Sequence, residues 1–250
     1  MKQLHNYLEI MNIKIKYNTP KTRRLEKAYE HPVGYDVFAE SMEYYIKHKT
    51  WKVNYVNSKD LFPELTDVEV NFNSIELEEV LNSSTSFFVK DLEELTTKVG
   101  DIFANQKEPL HHVFQINAVK YNTGICMEIP STHWCDVRAR SSVYKKDLIL
   151  ANGCGVGDPD YRGQYAFIYK LTDNVEAMIT QEPNDNPLIA AEFIVTGLEE
   201  YLNELDIYDV NANEAVGQFI IQNKLEVDFQ EVNALSTSDR GDGGFGSSTK

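Results

Sequence analysis

Short apolar runs broken by turn-forming residues constrain this chain more than any other feature. Residues 12–17, 113–119, 124–129 and 165–169 alternate or run apolar, with Gly, Asn, Asp or Pro around them. Runs of this length suit strands that bury one or both faces. Strands of this kind hide their edges best by antiparallel closure, so the expected fold class is mainly β, a β-barrel or jelly roll. At 250 residues the chain can bury a substantial core, as one large domain or a domain with insertions.

Two stretches depart from the strand pattern. In the first, residues 41–110, Phe88, Leu92, Leu95, Val99, Ile102 and Phe103 recur at steps of three and four, which predicts an amphipathic helix. Ile75, Leu77, Val80 and Leu81 suggest a shorter helix before it, and residues 51–56 and 68–72 read as strands. This is material for an inserted α/β subdomain. In the second, residues 174–210, Leu198, Tyr201, Leu202 and Leu205 mark one helix face. From Leu171 to Asn223 there are eleven Asp or Glu and no Lys or Arg. Such a run is a solvated face or a docking surface for a basic partner. The expected organisation is a discontinuous β core at 1–40, 111–173 and 211–235, the two insertions, and a Gly-rich tail at 236–250.

The formal charge of −15 argues against nucleic-acid binding, which needs a basic face. Cys126, Cys135 and Cys154 show no CxxC spacing and no even count, so neither a disulfide framework nor a zinc cluster is expected. No run of eighteen apolar residues and no basic–apolar–small leader stands in the sequence. The expectation is a cytoplasmic protein with no membrane span. His111 and His112 read as strand-flanking surface residues rather than metal ligands.

Chemistry concentrates in two segments. Residues 239–250, Asp-Arg-Gly-Asp-Gly-Gly-Phe-Gly-Ser-Ser-Thr-Lys, surround one aromatic with glycines, serines and an arginine. Glycines let backbone N–H groups turn toward an anion, Arg240 offers a forked cation, and Phe245 offers a face for a base. In mid-chain, Arg140-Ser141-Ser142 supplies a cation and two hydroxyls. It is followed by residues 152–163, Asn-Gly-Cys-Gly-Val-Gly-Asp-Pro-Asp-Tyr-Arg-Gly. Asp158 stands in a Gly/Pro turn between the apolar runs 148–150 and 165–169, the pattern of a β-hairpin with a carboxylate near its bend. A carboxylate beside a phosphate pocket is a metal ligand or a base for water.

In this order the segments resemble the five motifs of the trimeric deoxyuridine triphosphatases (dUTPases). Residues 34–39, Gly-Tyr-Asp-Val-Phe-Ala, are similar to the first motif, and Arg140-Ser141-Ser142 to the second, with Ala139 where the family usually has proline. Residues 152–163 match the third, with Asp158 and Tyr161 in register. Residues 213–220 are a worn fourth, keeping Gln218 but carrying Ala215 where the family has arginine. Residues 240–248 resemble the fifth.

The resemblance implies hydrolysis of dUTP to dUMP and pyrophosphate by water attack on the α-phosphorus. Asp158 would be the base, Arg140 and Ser141 would hold the phosphate chain, and Gln218 would add a neutral donor. Asn152 and the hairpin backbone would read uracil, and Tyr161 would pack on the deoxyribose and leave no room for a 2′-hydroxyl. The tail residues Arg240, Phe245, Gly246, Ser247 and Ser248 would cover the substrate. Mg2+ would bind mainly through the phosphates, with Asp36 a candidate in its outer shell through water. The active unit would be a homotrimer whose sites are completed by a neighbour's tail. The insertions would lie outside the barrel, contacting other subunits or another protein. Gly157 stands where the family usually has a branched apolar residue, which would loosen the pocket.

Other readings share some of these features: a dCTP deaminase or modified-nucleotide pyrophosphatase on the same fold, or an interaction protein that works through its insertions. A further reading takes the acidic pairs at 76–79 and 91–94 as the paired carboxylates of an all-α nucleotide pyrophosphatase.

Overall fold

The computed structural model describes residues 11–30, 32–57, 73–79, 84–183, 185–212 and 214–241. The chain is mainly β, and its strands pair antiparallel throughout. The strands are β1 (Lys14–Tyr17), β2 (Tyr35–Phe38), β3 (Ser41–Asn57), β4 (Asn73–Glu79), β5 (Thr85–Val89), β6 (Leu110–Asn122), β7 (Ile125–Glu128), β8 (His133–Arg138), β9 (Leu148–Leu150), β10 (Gly155–Gly157), β11 (Ala166–Gln181) and β12 (Ala215–Asn223). Two helices, α1 (Leu92–Ala104) and α2 (Pro187–Glu204), complete the described elements, with a short 3-10 turn at Ser141–Lys145.

Three sheets share one core. The first is the pair β1-β7, the second runs β10-β8-β12-β2, and the third runs β4-β3-β6-β11-β9 with β5 also on β3. Ile125, Met127, Val137, Val216 and Phe219 from the smaller sheets bury against Tyr121, Phe167 and Tyr169 of the large one. Apolar strand faces from different sheets thus close on each other, the barrel-like solution expected from short alternating runs.

The strands β3, β6 and β11 are far longer than the barrel needs. Their ladder slips at one level: Tyr45 pairs with Ala118 but Ile46 with Ile116, and Lys170 pairs with Ala118 but Val175 with Ile116. Asn117 is therefore the extra residue against β3, while on the other side four residues of β11, 171–174, stand against it. The burial phase of β6 changes at the same place, from His112, Phe114 and Ile116 to Val119 and Tyr121. A bulge turns one continuous strand from one core to another. Below this line the three strands belong to the barrel, and above it they carry the helices. The break expected at residue 41 falls where β3 begins, but those expected at 110/111 and 173/174 fall inside β6 and β11, so the physical boundary on these strands is the bulge line.

The helix α1 begins at Leu92, capped by Asp91, whose carboxylate accepts from the Glu94 N–H at 2.8 Å. Phe88, expected on this helix, lies in β5 instead. Leu95, Val99 and Phe103 form its buried stripe. Asn186 caps α2, whose Ala190, Ala191, Ile194, Leu198 and Leu202 are buried. The two helices pack on each other and on the upper sheet, so the two insertions form one layer.

The helix expected around Ile75 and Leu77 is corrected: residues 73–79 are strand β4, hydrogen-bonded to β3. Two apolar residues at spacing two fit a strand once a partner edge exists. Val80, Leu81 and the strand expected at 68–72 lie outside the described residues. The all-α reading fails with this correction. Glu76, Glu78 and Glu79 lie on a strand, and Asp91 and Glu94 serve as caps of α1.

The expected surface position of the histidines is also corrected. His112 is buried inside β6, and its Nδ1 lies 3.0 Å from His48 Nε2. His112 Nε2 lies 2.8 Å from Gln106 Oε1, while Gln106 Nε2 donates to the carbonyls of Glu108 and Gln181. Gln106 Oε1 is then the acceptor, His112 carries its proton on Nε2, and His48 Nε2–H donates to His112 Nδ1. This directed chain ties β3, β6 and the end of α1 together.

Candidate active site

The first cleft lies beside the expected hairpin. Leu148–Leu150 pairs with residues 169–171 of β11, and the connection between them carries β10 and the turn at Asp158. β10 in turn pairs with β8. Asn152, Asp158 and Tyr161 all line a cleft of about 770 Å3, and Glu43, Lys120 and Asn122 line it too. Tyr161 N–H closes the turn onto the Asp158 carbonyl at 3.1 Å. The Tyr161 hydroxyl donates to the Gln164 carbonyl at 2.8 Å, and its ring meets Tyr165 edge-on at 5.2 Å and 89°. A carboxylate, an amide and an anchored aromatic therefore stand around one opening.

Behind this cleft Asp136 is buried on β8. Burial acts to raise its pKa, yet hydrogen bonds from Arg138 Nε at 2.7 Å and the Cys154 thiol at 3.0 Å outweigh it and hold the carboxylate below its usual range. The Cys154 thiol shifts upward in return, through that hydrogen bond and then through burial. It is a weak nucleophile fixed at the base of the loop.

The second cleft, about 460 Å3, is lined by Arg23, Glu26, Asp36, Phe38, Arg140, Ala212, Glu214 and Ala215. Strand register explains its contents. On β12, Gln218 stands opposite Asp36 of β2 on one side and opposite Arg138 of β8 on the other. Arg140 follows β8 by two residues and starts the 3-10 turn that exposes Ser141. Asp36 Oδ1 accepts from Gln218 Nε2 at 3.0 Å and pairs with Arg140 Nε at 3.3 Å. Motif residues 36, 140 and 218 are thus brought together.

Sequence reasoning missed Arg23. Its guanidinium lies 3.4 Å from the centre of the Phe38 ring and 2.9 Å from Glu26 Oε1. It faces the same cleft as Ala215, the position of the missing arginine. A cation brought in by a remote loop leaves no signature in a linear motif.

The two clefts share no lining residue. β10 and β2 are the opposite edges of the sheet β10-β8-β12-β2, three strand spacings or about 14 Å apart. One chain therefore does not bring Asp158, Tyr161 and Asn152 onto Arg140, Asp36 and Gln218. The described part of the tail carries Leu225, Phe229 and Leu235 more than four-fifths exposed. Arg240 lies in a turn closed by Gly241 N–H to the Ser238 carbonyl at 3.0 Å. Phe245, Gly246, Ser247 and Ser248 lie outside the described residues.

The fold and these clefts define a class: a mainly β protein with one opening where two arginines stand among three carboxylates and another offering a carboxylate and an aromatic wall. Comparison with known proteins narrows the class. No family model matches the chain. A segment of 151 residues, 60% of the chain, is 26% identical to a deoxyuridine 5′-triphosphate nucleotidohydrolase of Fusobacterium nucleatum, across 82% of that protein. Over 126 residues, half of the chain, it is 31% identical to the enzyme of the same name from Clostridium acetobutylicum, across 66% of that protein. Among solved structures, the dUTPase of Staphylococcus bacteriophage 80alpha with dUpNHpp is similar over 96% of this chain and 99% of its own, at 13% identity and a TM-score of 0.45. The chain belongs to the dUTPase family. Among the described residues, no helix is long and apolar enough to cross a membrane.

Proposed function

We propose that the protein hydrolyses dUTP to dUMP and pyrophosphate by attack of water on the α-phosphorus. The observation that carries this reading is the sorting of chemistry between the clefts, base and nucleoside groups in one and phosphate groups in the other. Asp158, at the hairpin turn, orients the water and takes its proton. Asn152 and the hairpin backbone read the uracil edge, and Tyr161 walls the deoxyribose. Arg140 and Arg23 take phosphate oxygens, Ser141 hydrogen-bonds near the scissile bond, and Gln218 adds a neutral donor. Such a reaction is driven mostly by positioning and charge stabilisation, and these are what the two clefts offer.

Because the halves stand at opposite edges of one sheet, the complete site in this reading needs more than one copy. A closed homotrimer would set the hairpin cleft of one chain against the arginine cleft of the next. The tail from a further copy, with Arg240, Phe245, Gly246, Ser247 and Ser248, would cover the bound nucleotide.

The fit of Mg2+ is limited. Among the described residues no group of three or more His, Cys, Asp or Glu converges to hold a metal ion. Asp36 Oδ1 is engaged by Arg140 and Gln218, which makes it a brace for the arginine rather than a metal ligand. The ion would come with the triphosphate, and no step is assigned to it.

The test is product analysis with dUTP, dCTP, dTTP and UTP, each with Mg2+. The expected result is dUMP and pyrophosphate from dUTP alone. Equal turnover of UTP, or ammonia released from dCTP, would overturn the reading.

A further inference from the structure

The space beside Gly157 is not empty. A Cβ built on Gly157 would lie 2.5 Å from Tyr165 Oη and 2.6 Å from Tyr165 Cε1. Carbon atoms do not approach so closely, so any side chain at 157 would have to displace the Tyr165 ring. Tyr165 is buried, held between Phe219, with ring centres 5.1 Å apart, and Tyr161. Its backbone is pinned as well. Tyr165 N–H donates to the Ile125 carbonyl at 2.9 Å, and its own carbonyl accepts the Thr123 hydroxyl at 2.7 Å. The ring therefore enters from the residue just before β11 and fills, from the core side, the volume a branched residue at 157 would fill from the hairpin. Where the resemblance led to an expected loosening at Gly157, the Tyr165 ring stands in the space.

The same ring supports the exposed wall of the cleft. Tyr161 leans edge-on against Tyr165 and is folded over Gly163, where a Cβ would lie 2.5 Å from Tyr161 Oη. Steric rejection of an added group works only against a wall that cannot retreat. Tyr161 is 45% exposed and is held from behind by Tyr165 and at its tip by the Gln164 carbonyl. Burial raises the pKa of the Tyr165 hydroxyl, so it stays protonated, and among the described residues it has no hydrogen-bond partner. A hydroxyl closed off in this way contributes volume rather than a contact with substrate.

We propose that Tyr165 is a positioning residue for sugar selection. Its ring replaces the missing side chain of Gly157 and holds Tyr161 rigid against nucleotides carrying a 2′-hydroxyl. This rests on the dUTP-hydrolase reading above. The two residues form one packing unit, so changes at either should be mutually corrective.

The experiment uses the full chain and five forms: wild type, Tyr165→Phe, Tyr165→Val, Gly157→Val and the double variant Gly157→Val/Tyr165→Val. Two readouts are taken, Tm and the ratio of kcat/KM for dUTP over UTP. Tyr165→Phe should keep the ratio within about twofold, because the ring is intact. Tyr165→Val and Gly157→Val should each lower Tm and cut the ratio about tenfold or more. The double variant should regain most of both, since one branched side chain refills the space the ring leaves. Additive losses in Tm would overturn the packing unit even if the protein hydrolysed no dUTP. A recovered Tm with an unchanged ratio in every variant would overturn the role in selection. Loss of turnover in Tyr165→Phe alone would mean that the hydroxyl touches substrate, and would overturn the spacer role. A wild type without dUTP turnover refutes the functional reading by itself, while the Tm cycle still decides the packing claim.

Discussion

Asp158 and Arg23 differ in how they can be recognised, and each carries its own expectation. Asp158→Asn keeps the shape of the turn and removes the base. Substrate binding should persist while turnover falls about 10²–10⁴-fold, as for other positioned acid–base groups. Burst-free single-turnover kinetics with a dUTP titration would measure this, and near-normal turnover would remove Asp158 from the role. Arg23→Ala should lower kcat/KM for dUTP about tenfold or more, the scale of a lost charge-assisted hydrogen bond. Arg23→Lys should restore only part of it, because stacking on Phe38 uses the planar guanidinium. Ala215→Arg on the Arg23→Ala background should recover activity, since both positions face one cleft. Failure of that rescue would argue against a shared task. Asp158, Tyr161 and Asn152 were legible because they sit within a dozen residues of each other on one hairpin. Arg23 and Tyr165 were not, because each comes from a different part of the chain than the motif position it faces, Ala215 or Gly157, and only the folded chain brings them to one place.

The histidine chain across β3 and β6 sets a pH limit on the helical layer. Burial lowers the pKa of His48 from 6.5 to about 4. Burial, then His48 and His111, lower that of His112 to about 3. Both imidazoles are therefore neutral in the folded chain, while the unfolded chain binds their protons below pH 6.5. Their contribution to stability is complete above that value. It is lost as pH falls from about 6.5 toward about 4 and then 3. A proton added to His112 Nδ1 would also face the His48 Nε2–H donor and break the directed chain. The midpoint of urea unfolding should fall across pH 6.5 to 4.5, and the slope should lessen in His112→Gln. An unchanged slope in that variant would place the pH response elsewhere. Helix periodicity placed α1 with Phe88 too early, but it caught only the end of α2, which begins at Pro187, stops before Leu205 and leaves Tyr201 exposed. The strand β4 was misread because two apolar residues at spacing two leave helix and strand unresolved until β3 offers an edge. The packing of α1 on α2 was invisible for a similar reason. Neither helix names its partner, although Leu95, Val99 and Phe103 need Ala191, Ile194 and Leu198 to cover them. Removing 185–205 alone should therefore destabilise the layer by several kcal/mol, the scale of uncovering several core side chains. Removing both helices together with the upper strands, cut at the bulge line, should cost the barrel less. Calorimetry of the two deletions compares them directly.

The separation of the two clefts makes assembly a chemical requirement in this reading, beyond any gain in stability. In one chain the hairpin and the arginine cleft occupy opposite sheet edges, and Leu225, Phe229 and Leu235 are left almost wholly in water. Exposed apolar side chains in an extended tail call for a surface to cover them, and a second copy of the chain supplies one at no cost in new sequence. Glycines make a segment entropically costly to fix, so in this reading the bound nucleotide's own contacts would contribute to holding the tail over it. Nothing in the linear order of the motifs distinguishes a site within one chain from a site between chains. The sheet order β10-β8-β12-β2 separates the two clefts within one chain and so supports the shared site that the resemblance implies. The consequence can be tested by mixing two inactive forms. Asp158→Ala chains keep the tail and lack the base. Chains truncated after Thr237 keep the base and lack Arg240 and everything beyond it. Each form alone should be nearly inactive. After co-refolding, or exchange verified by mass-tagged subunits, mixed assemblies should recover activity, because some sites join an intact Asp158 to an intact tail from a different copy. Recovery should scale with the fraction of mixed assemblies and vanish when a crosslinked homogeneous assembly of either form is used. If exchange is demonstrated and no activity returns, base and tail act within the same chain, and the shared-site arrangement is wrong.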